Sequence, residues 1–151
     1  MKKISTDCPR EDEDVFQLDN AIGHLLRRAY QRTSSVLISQ IGQYDITPVQ
    51  FATLARLNEY GSLSQNHLGR LVDIEPGNFH GVINRLLKRD LLVKQKDIND
   101  QRKVILSLSK TGKELIKSLK PMSEQATATT LAPLTENQRA QLYKLLDKIL
   151  D

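Results

Sequence analysis

Apolar residues along this chain follow helical spacing first, alternate briefly, and then return to helical spacing. Val15, Leu18, Ile22, Leu25, Ala29 and Val36 recur at intervals of three, four and seven, which predicts a long first helix from about Val15 to Ile41. Gly42-Gln43-Tyr44-Asp45 interrupts it. Thr47 then suits an N-cap, Pro48 the first helical position and Gln50 the closing member of a capping box, with Ile46 and Phe51 placed as a hydrophobic staple. Leu54 and Leu57 continue that buried face until Gly61. Two short helices are expected next. Leu63-Ser64 opens one, with Leu68 and Leu71 inward and a stop near Asp73; Pro76 opens the other, whose stripe is Phe79, Val82, Ile83 and Leu86. Ile74 and Phe79 form a second possible staple.

Alternation replaces helical spacing around Val93 and Gln95, and again where Val104, Leu106 and Leu108 interleave with Lys103, Ile105 and Ser107. Two short strands follow from this, joined by the Asp97-Ile98-Asn99-Asp100-Gln101-Arg102 turn. Ser109 caps a further long helix through Leu115, Ile116 and Leu119, in which Pro121 is a bend or an end, with helical spacing resuming to Leu131. Pro133 precedes a capping box, Thr135 to Gln138, and a final helix carrying Leu142, Leu145, Leu146 and Ile149. The expected fold is mainly α with a small two-stranded β wing. It reads as a winged helix-turn-helix core at about 47–109, flanked by helices at about 15–41 and 110–151 that form a dimerisation region.

Composition narrows the function. At 151 residues the chain suits one domain, here 15–151, behind an acidic arm at 1–14 that contains Asp7, Glu11, Asp12, Glu13 and Asp14. No apolar run approaches the roughly 18 residues that cross a bilayer, and the N-terminus lacks an apolar signal core, so a cytoplasmic protein is expected. The single cysteine, Cys8, cannot form an internal disulfide, and its acidic neighbours oppose a thiolate. Between Arg85 and Lys103 lie seven bases (Arg85, Lys88, Arg89, Lys94, Lys96, Arg102 and Lys103) and three acids, which accounts for the whole net charge of +4. A basic patch on an otherwise neutral body suits a polyanion; a solvated, solubilising face is the plainer alternative.

The order helix, tight turn, helix, hairpin is one that nucleic-acid readers use, with the N-terminal residues of the second helix at base edges. Opposite the apolar stripe of that helix stand Asn78, His80, Gly81, Asn84, Arg85 and Lys88. Asn can pair bidentately with adenine and His can bond base edges or phosphates, so Asn78, His80 and Asn84 are the base-reading candidates. Gly77 and Gly81, beside Pro76, would permit close approach to the duplex. Arg102 at the hairpin tip suits a narrow minor groove, with Asp100 positioned to fix it by a bidentate ion pair. Ser64, Gln65 and Lys103 complete the candidate DNA-binding set.

Leu63-Ser64-Gln65-Asn66-His67-Leu68, Leu86-Leu87-Lys88-Arg89-Asp90-Leu91-Leu92, and above all Asp100-Gln101-Arg102 followed by Leu108-Ser109-Lys110-Thr111-Gly112 give the chain a specific likeness. It resembles the multiple-antibiotic-resistance regulator (MarR) family of bacterial transcription factors. The resemblance implies a homodimer held by the first and last helices, binding a palindromic operator and acting as a repressor. It also implies release by a small effector, with aromatic carboxylic acids as one candidate class. The sequence departs from common members at Pro76 and His80, where small hydroxylated residues are frequent.

For the effector, His24, Arg27, Arg28 and Tyr30 cluster on the first helix, near Arg32, and Phe51 and Leu54 are positioned to supply an apolar wall. The plainer reading is ion-paired surface arginines beside a dimer interface. His24, His67 and His80 lack zinc-site spacing, no phosphate-binding glycine loop is present, and no nucleophile-base set is visible, so neither cofactor nor catalysis is expected. A winged-helix protein-interaction adaptor is the alternative function.

Overall fold

The computed structural model describes residues 16–151. The acidic arm at 1–14, Cys8 and the proposed start of the first helix at Val15 lie outside the described residues. Helix α1 spans Ile22–Ile41, later than the apolar spacing suggested, because a 3-10 turn at Leu18–Asn20 leads into Ala21 in an extended conformation. A second 3-10 turn, Gly42–Tyr44, ends at Asp45 with φ 52°. Helix α2, Pro48–Tyr60, begins with both halves of the Thr47/Gln50 capping box and ends at Gly61, whose φ of 77° suits glycine.

Strand β1, Ser62–Ser64, was not anticipated. It pairs antiparallel with β3, Val104–Leu108, through Leu63 opposite Leu106, so the wing hairpin of β2, Leu92–Lys96, and β3 gains a third strand in the order β1-β3-β2. Ser64 serves both elements, ending β1 and capping α3, Gln65–Leu71, by accepting from the His67 amide. After Asp73, with φ 52°, Pro76 opens α4, Pro76–Lys88. Helix α5 runs unbroken over Lys110–Leu131. Pro121 removes one backbone donor on its exposed side, while Leu119 and Ala126 anchor the helix on either side of it. Helix α6, Glu136–Leu150, starts with the Thr135/Gln138 capping box.

One core unites these elements. Ile41, Leu54, Leu57, Leu68, Phe79, Ile83, Leu86, Leu106 and Leu119 are each at most 1% exposed, and Ile46, Phe51 and Ile74 belong to or pack against the same cluster. Each such side chain stabilises the lobe by roughly 1.5–3 kcal/mol relative to an exposed one. Helix α1 lies along α5. By contrast α6 buries no residue and, among the described residues, packs substantially on no other element; Arg139 ties its first turn to the Leu131 and Leu134 carbonyls. Among the described residues no helix is long and apolar enough to cross a membrane.

Candidate nucleic-acid interface

The apolar stripe of α4 fixes which face it shows. Phe79, Val82, Ile83 and Leu86 are buried, so Pro76, Gly77, Asn78, His80, Asn84, Arg85 and Lys88 are exposed and Gly81 is half-buried. Close packing against α3 holds this orientation: the Gly69 site lies so near the Phe79 ring that an added Cβ would sit 3.2 Å from it. At Gly77 and Gly81 an added Cβ would meet nothing within 4 Å, so those positions are open to whatever docks there.

The wing tip is shaped by two aspartates. Asp97 Oδ1 accepts from the Asn99 and Asp100 amides at 2.7 and 3.2 Å, and Asp100 Oδ1 accepts from the Arg102 amide at 3.0 Å. Asp97 and Lys103 close the loop through an amide-to-carbonyl bond of 3.0 Å. The expected ion pair between Asp100 and the Arg102 side chain is not formed. Asp100 reaches the Arg102 backbone instead, and its second oxygen stands 3.8 Å from Lys103 Nζ. The exposed Arg102 guanidinium therefore has no partner among the described residues, leaving its donors available to a phosphate or a groove.

Helix α3 connects the two parts. Gln65 and Asn66 line a depression of about 330 Å³ with Ser64, Arg102, Lys103 and Val104. The same two residues line a second hollow, of about 480 Å³, with Arg70, Pro76 and Phe79. The start of α3, the start of α4 and the base of the wing thus border one another through Gln65 and Asn66, the adjacency that a backbone-contacting and groove-entering unit requires.

The effector candidates do not all converge. His24 Nε2 lies 3.7 Å from Asp19 Oδ1, Arg28 Nη1 lies 3.4 Å from the same oxygen, and Arg27 Nη2 is 3.3 Å from His24 Nδ1. These three form a surface network and line none of the principal clefts. Leu54 is fully buried in the core and offers no surface to a ligand. Tyr30 and Phe51 do meet, in a cleft of about 290 Å³ between α1 and α2 that also includes Pro48 and Val49. Phe51 further borders a larger cleft, about 770 Å³, between α2 and α5. Ala55 and Ile116 give that cleft apolar walls, and Lys113, Lys117 and Lys120 line it. Sequence reasoning missed these lysines, although their i, i+4, i+7 spacing puts them on one helical face. Glu59, at the rim, is paired with Arg56 at 2.9 Å.

The MarR family model matches residues 46–104, which run from the start of α2 into the wing. The chain is 30% identical to the HTH-type transcriptional repressor NicR of Pseudomonas putida, over 99% of this chain and 95% of that protein. A solved structure of BpsR from Bordetella bronchiseptica, whose DNA binding is regulated by 6-hydroxynicotinic acid, shares 34% identity at a TM-score of 0.85, covering 91% of this chain and 98% of that one. A probable transcriptional regulator from Pseudomonas aeruginosa is 35% identical at a TM-score of 0.83, covering 88% and 99%. With an exposed helix face, a basic wing and relatives matched along nearly their full length, this chain belongs to the MarR family of winged-helix DNA-binding transcription regulators and is not an enzyme.

Proposed function

We propose that the protein is a cytoplasmic, homodimeric repressor that binds a palindromic operator and is released by a small aromatic acid. The observation that carries the DNA reading is the exposed α4 face together with an Arg102 guanidinium that has no partner among the described residues. Asn78, His80 and Asn84 read bases, Gly77 and Gly81 admit the duplex edge, and Ser64, Gln65, Arg85, Lys88, Arg102 and Lys103 hold phosphates or the minor groove. Asp100 keeps the tip in shape through the Arg102 amide. Support for the dimer comes from α6 and α1, where Leu145, Ile149, Leu150, Ile22 and Leu25 are between 43% and 83% exposed and form apolar stripes that a second copy would cover. A twofold pair sets its recognition helices roughly 34 Å apart, one helical turn of DNA.

Effector binding falls to the α2–α5 cleft and the Tyr30–Phe51 cleft, where an aromatic ring meets apolar wall and a carboxylate meets the lysines. NicR is a repressor and BpsR responds to 6-hydroxynicotinic acid, which makes pyridine and benzene carboxylates the first probes.

The test is duplex binding, over a salt series, to DNA flanking the gene. A steep fall of affinity with salt is expected. Arg102→Ala should weaken binding to all sequences and flatten the slope by about one per protomer, while Asn78→Ala or His80→Ala should change sequence preference. Salt-independent or absent DNA binding would favour an adaptor.

A further inference from the structure

Arg89 belongs by sequence to the basic segment, yet the structure commits its side chain elsewhere. Immediately after the last turn of α4, its guanidinium donates through Nη2 to the Tyr44 carbonyl at 2.8 Å and through Nη1 to the Asp45 carbonyl. Those carbonyls belong to the corner between α1 and α2, where the 3-10 turn ends and Asp45 is left-handed. No other donor reaches either of them among the described residues. Helices α1 and α4 otherwise share at most marginal packing. The link therefore spans 44 residues of sequence and ties the C-terminal end of α4 to the α1–α2 corner.

We propose that Arg89 is a positioning residue for DNA recognition, clamping the C-terminal end of α4 to the α1–α2 corner so that the recognition helix follows that corner. This rests on the reading of α4 as the DNA-reading helix. A planar guanidinium can bond two carbonyls at once, which a lysine ammonium on its flexible stem does not reproduce in fixed geometry. The corner is also well placed to report ligand occupancy. Pro48 and Val49, which line the Tyr30–Phe51 cleft, follow Asp45 within four residues, so a ligand that parts α1 from α2 shifts the two acceptors and, through Arg89, the pitch of α4.

The experiment compares full-length parent, Arg89→Lys and Arg89→Ala on two duplexes: one that the parent selects from a random pool, and one of scrambled sequence. Lys keeps the charge and most of the volume, so it stays informative should the Ala variant fold poorly. Both variants are expected to lose about tenfold on the selected duplex, to bind scrambled DNA within about twofold of the parent, and to keep the parent's salt slope. A phosphate contact would behave differently: Lys would retain affinity, and Ala would weaken both duplexes together while the slope fell by about one per protomer. That pattern, or parental selectivity in both variants, overturns the proposal. If the parent selects no duplex at all, the DNA reading itself fails, a result distinct from either.

Discussion

Within the lobe that runs from Ile41 to Leu119, most large apolar side chains are sealed by residues of the same chain, Ile98 at the wing tip being the clearest exception, whereas α6 leaves Leu145, Ile149 and Leu150 more than half exposed. The two regions carry equally clear local signals. Thr47 with Gln50 and Thr135 with Gln138 make the same capping box, each with bonds of 2.9 and 3.3 Å. Local chemistry therefore starts both helices, but only α2 finds a core to finish on. A cap contributes about 1 kcal/mol, too little to hold a fifteen-residue helix on its own in water. The lobe finishes its helices on a core of its own, and the terminal helix, among the described residues, does not.

The sharpest way to break that contrast is to charge the terminal stripe. Leu145→Lys with Ile149→Lys should yield monomers by sedimentation, lower operator affinity by about two to four orders of magnitude through loss of the second half-site, and leave the lobe folded. A dimer that survives both changes would mean that the exposed stripe serves something else.

Next in size is a change confined to the lobe. An added Cβ at Gly112 would sit 2.1 Å from the Leu91 carbonyl oxygen, which also accepts from the Ser109 amide. Gly112→Ala should cost about 3 kcal/mol in denaturant unfolding and leave the assembly state of the remaining folded protein unchanged. Indifference to the substitution would show that α5 can pull away from the β2 junction freely.

The smallest expected effect also lies on the lobe side. Lys117→Ala in the α2–α5 cleft should leave operator affinity within about twofold and raise the aromatic-acid concentration needed for release by about tenfold, the worth of one charge-assisted contact. Unchanged release would move the effector to the Tyr30–Phe51 cleft.

The sequence made the helices, their caps and the exposed α4 face legible because each depends on neighbours within a turn or two. The Leu108-Ser109-Lys110-Thr111-Gly112 motif has a local and a distant meaning. Ser109 caps α5 by accepting from the Gly112 amide, and it also donates to the Asp90 carbonyl at 2.6 Å, a contact no pattern within the motif discloses. Strand β1 was missed for the same reason: three residues give no alternation to read, and its partner Leu106 is 43 positions away from Leu63. Leu54 was misplaced because spacing of three from Phe51 suggests a shared wall, while the fold turns Leu54 fully into the core and leaves Phe51 at its edge. The lysines of α5 were passed over, since only α2 packing opposite them makes a cleft. Pairing Asp100 with the Arg102 side chain failed because the nearer backbone amide took the carboxylate.

The bonds that Asp97 and Asp100 make inside the wing tip bear on the cost of binding as well as on shape. A loop braced by its own carboxylates has less conformational entropy to surrender on docking, a saving of about 0.5–1.5 kcal/mol for each side chain that need not be immobilised later. On the proposed DNA reading, preorganisation of this kind would leave the Arg102 side chain as the main part of the tip still to be ordered on binding.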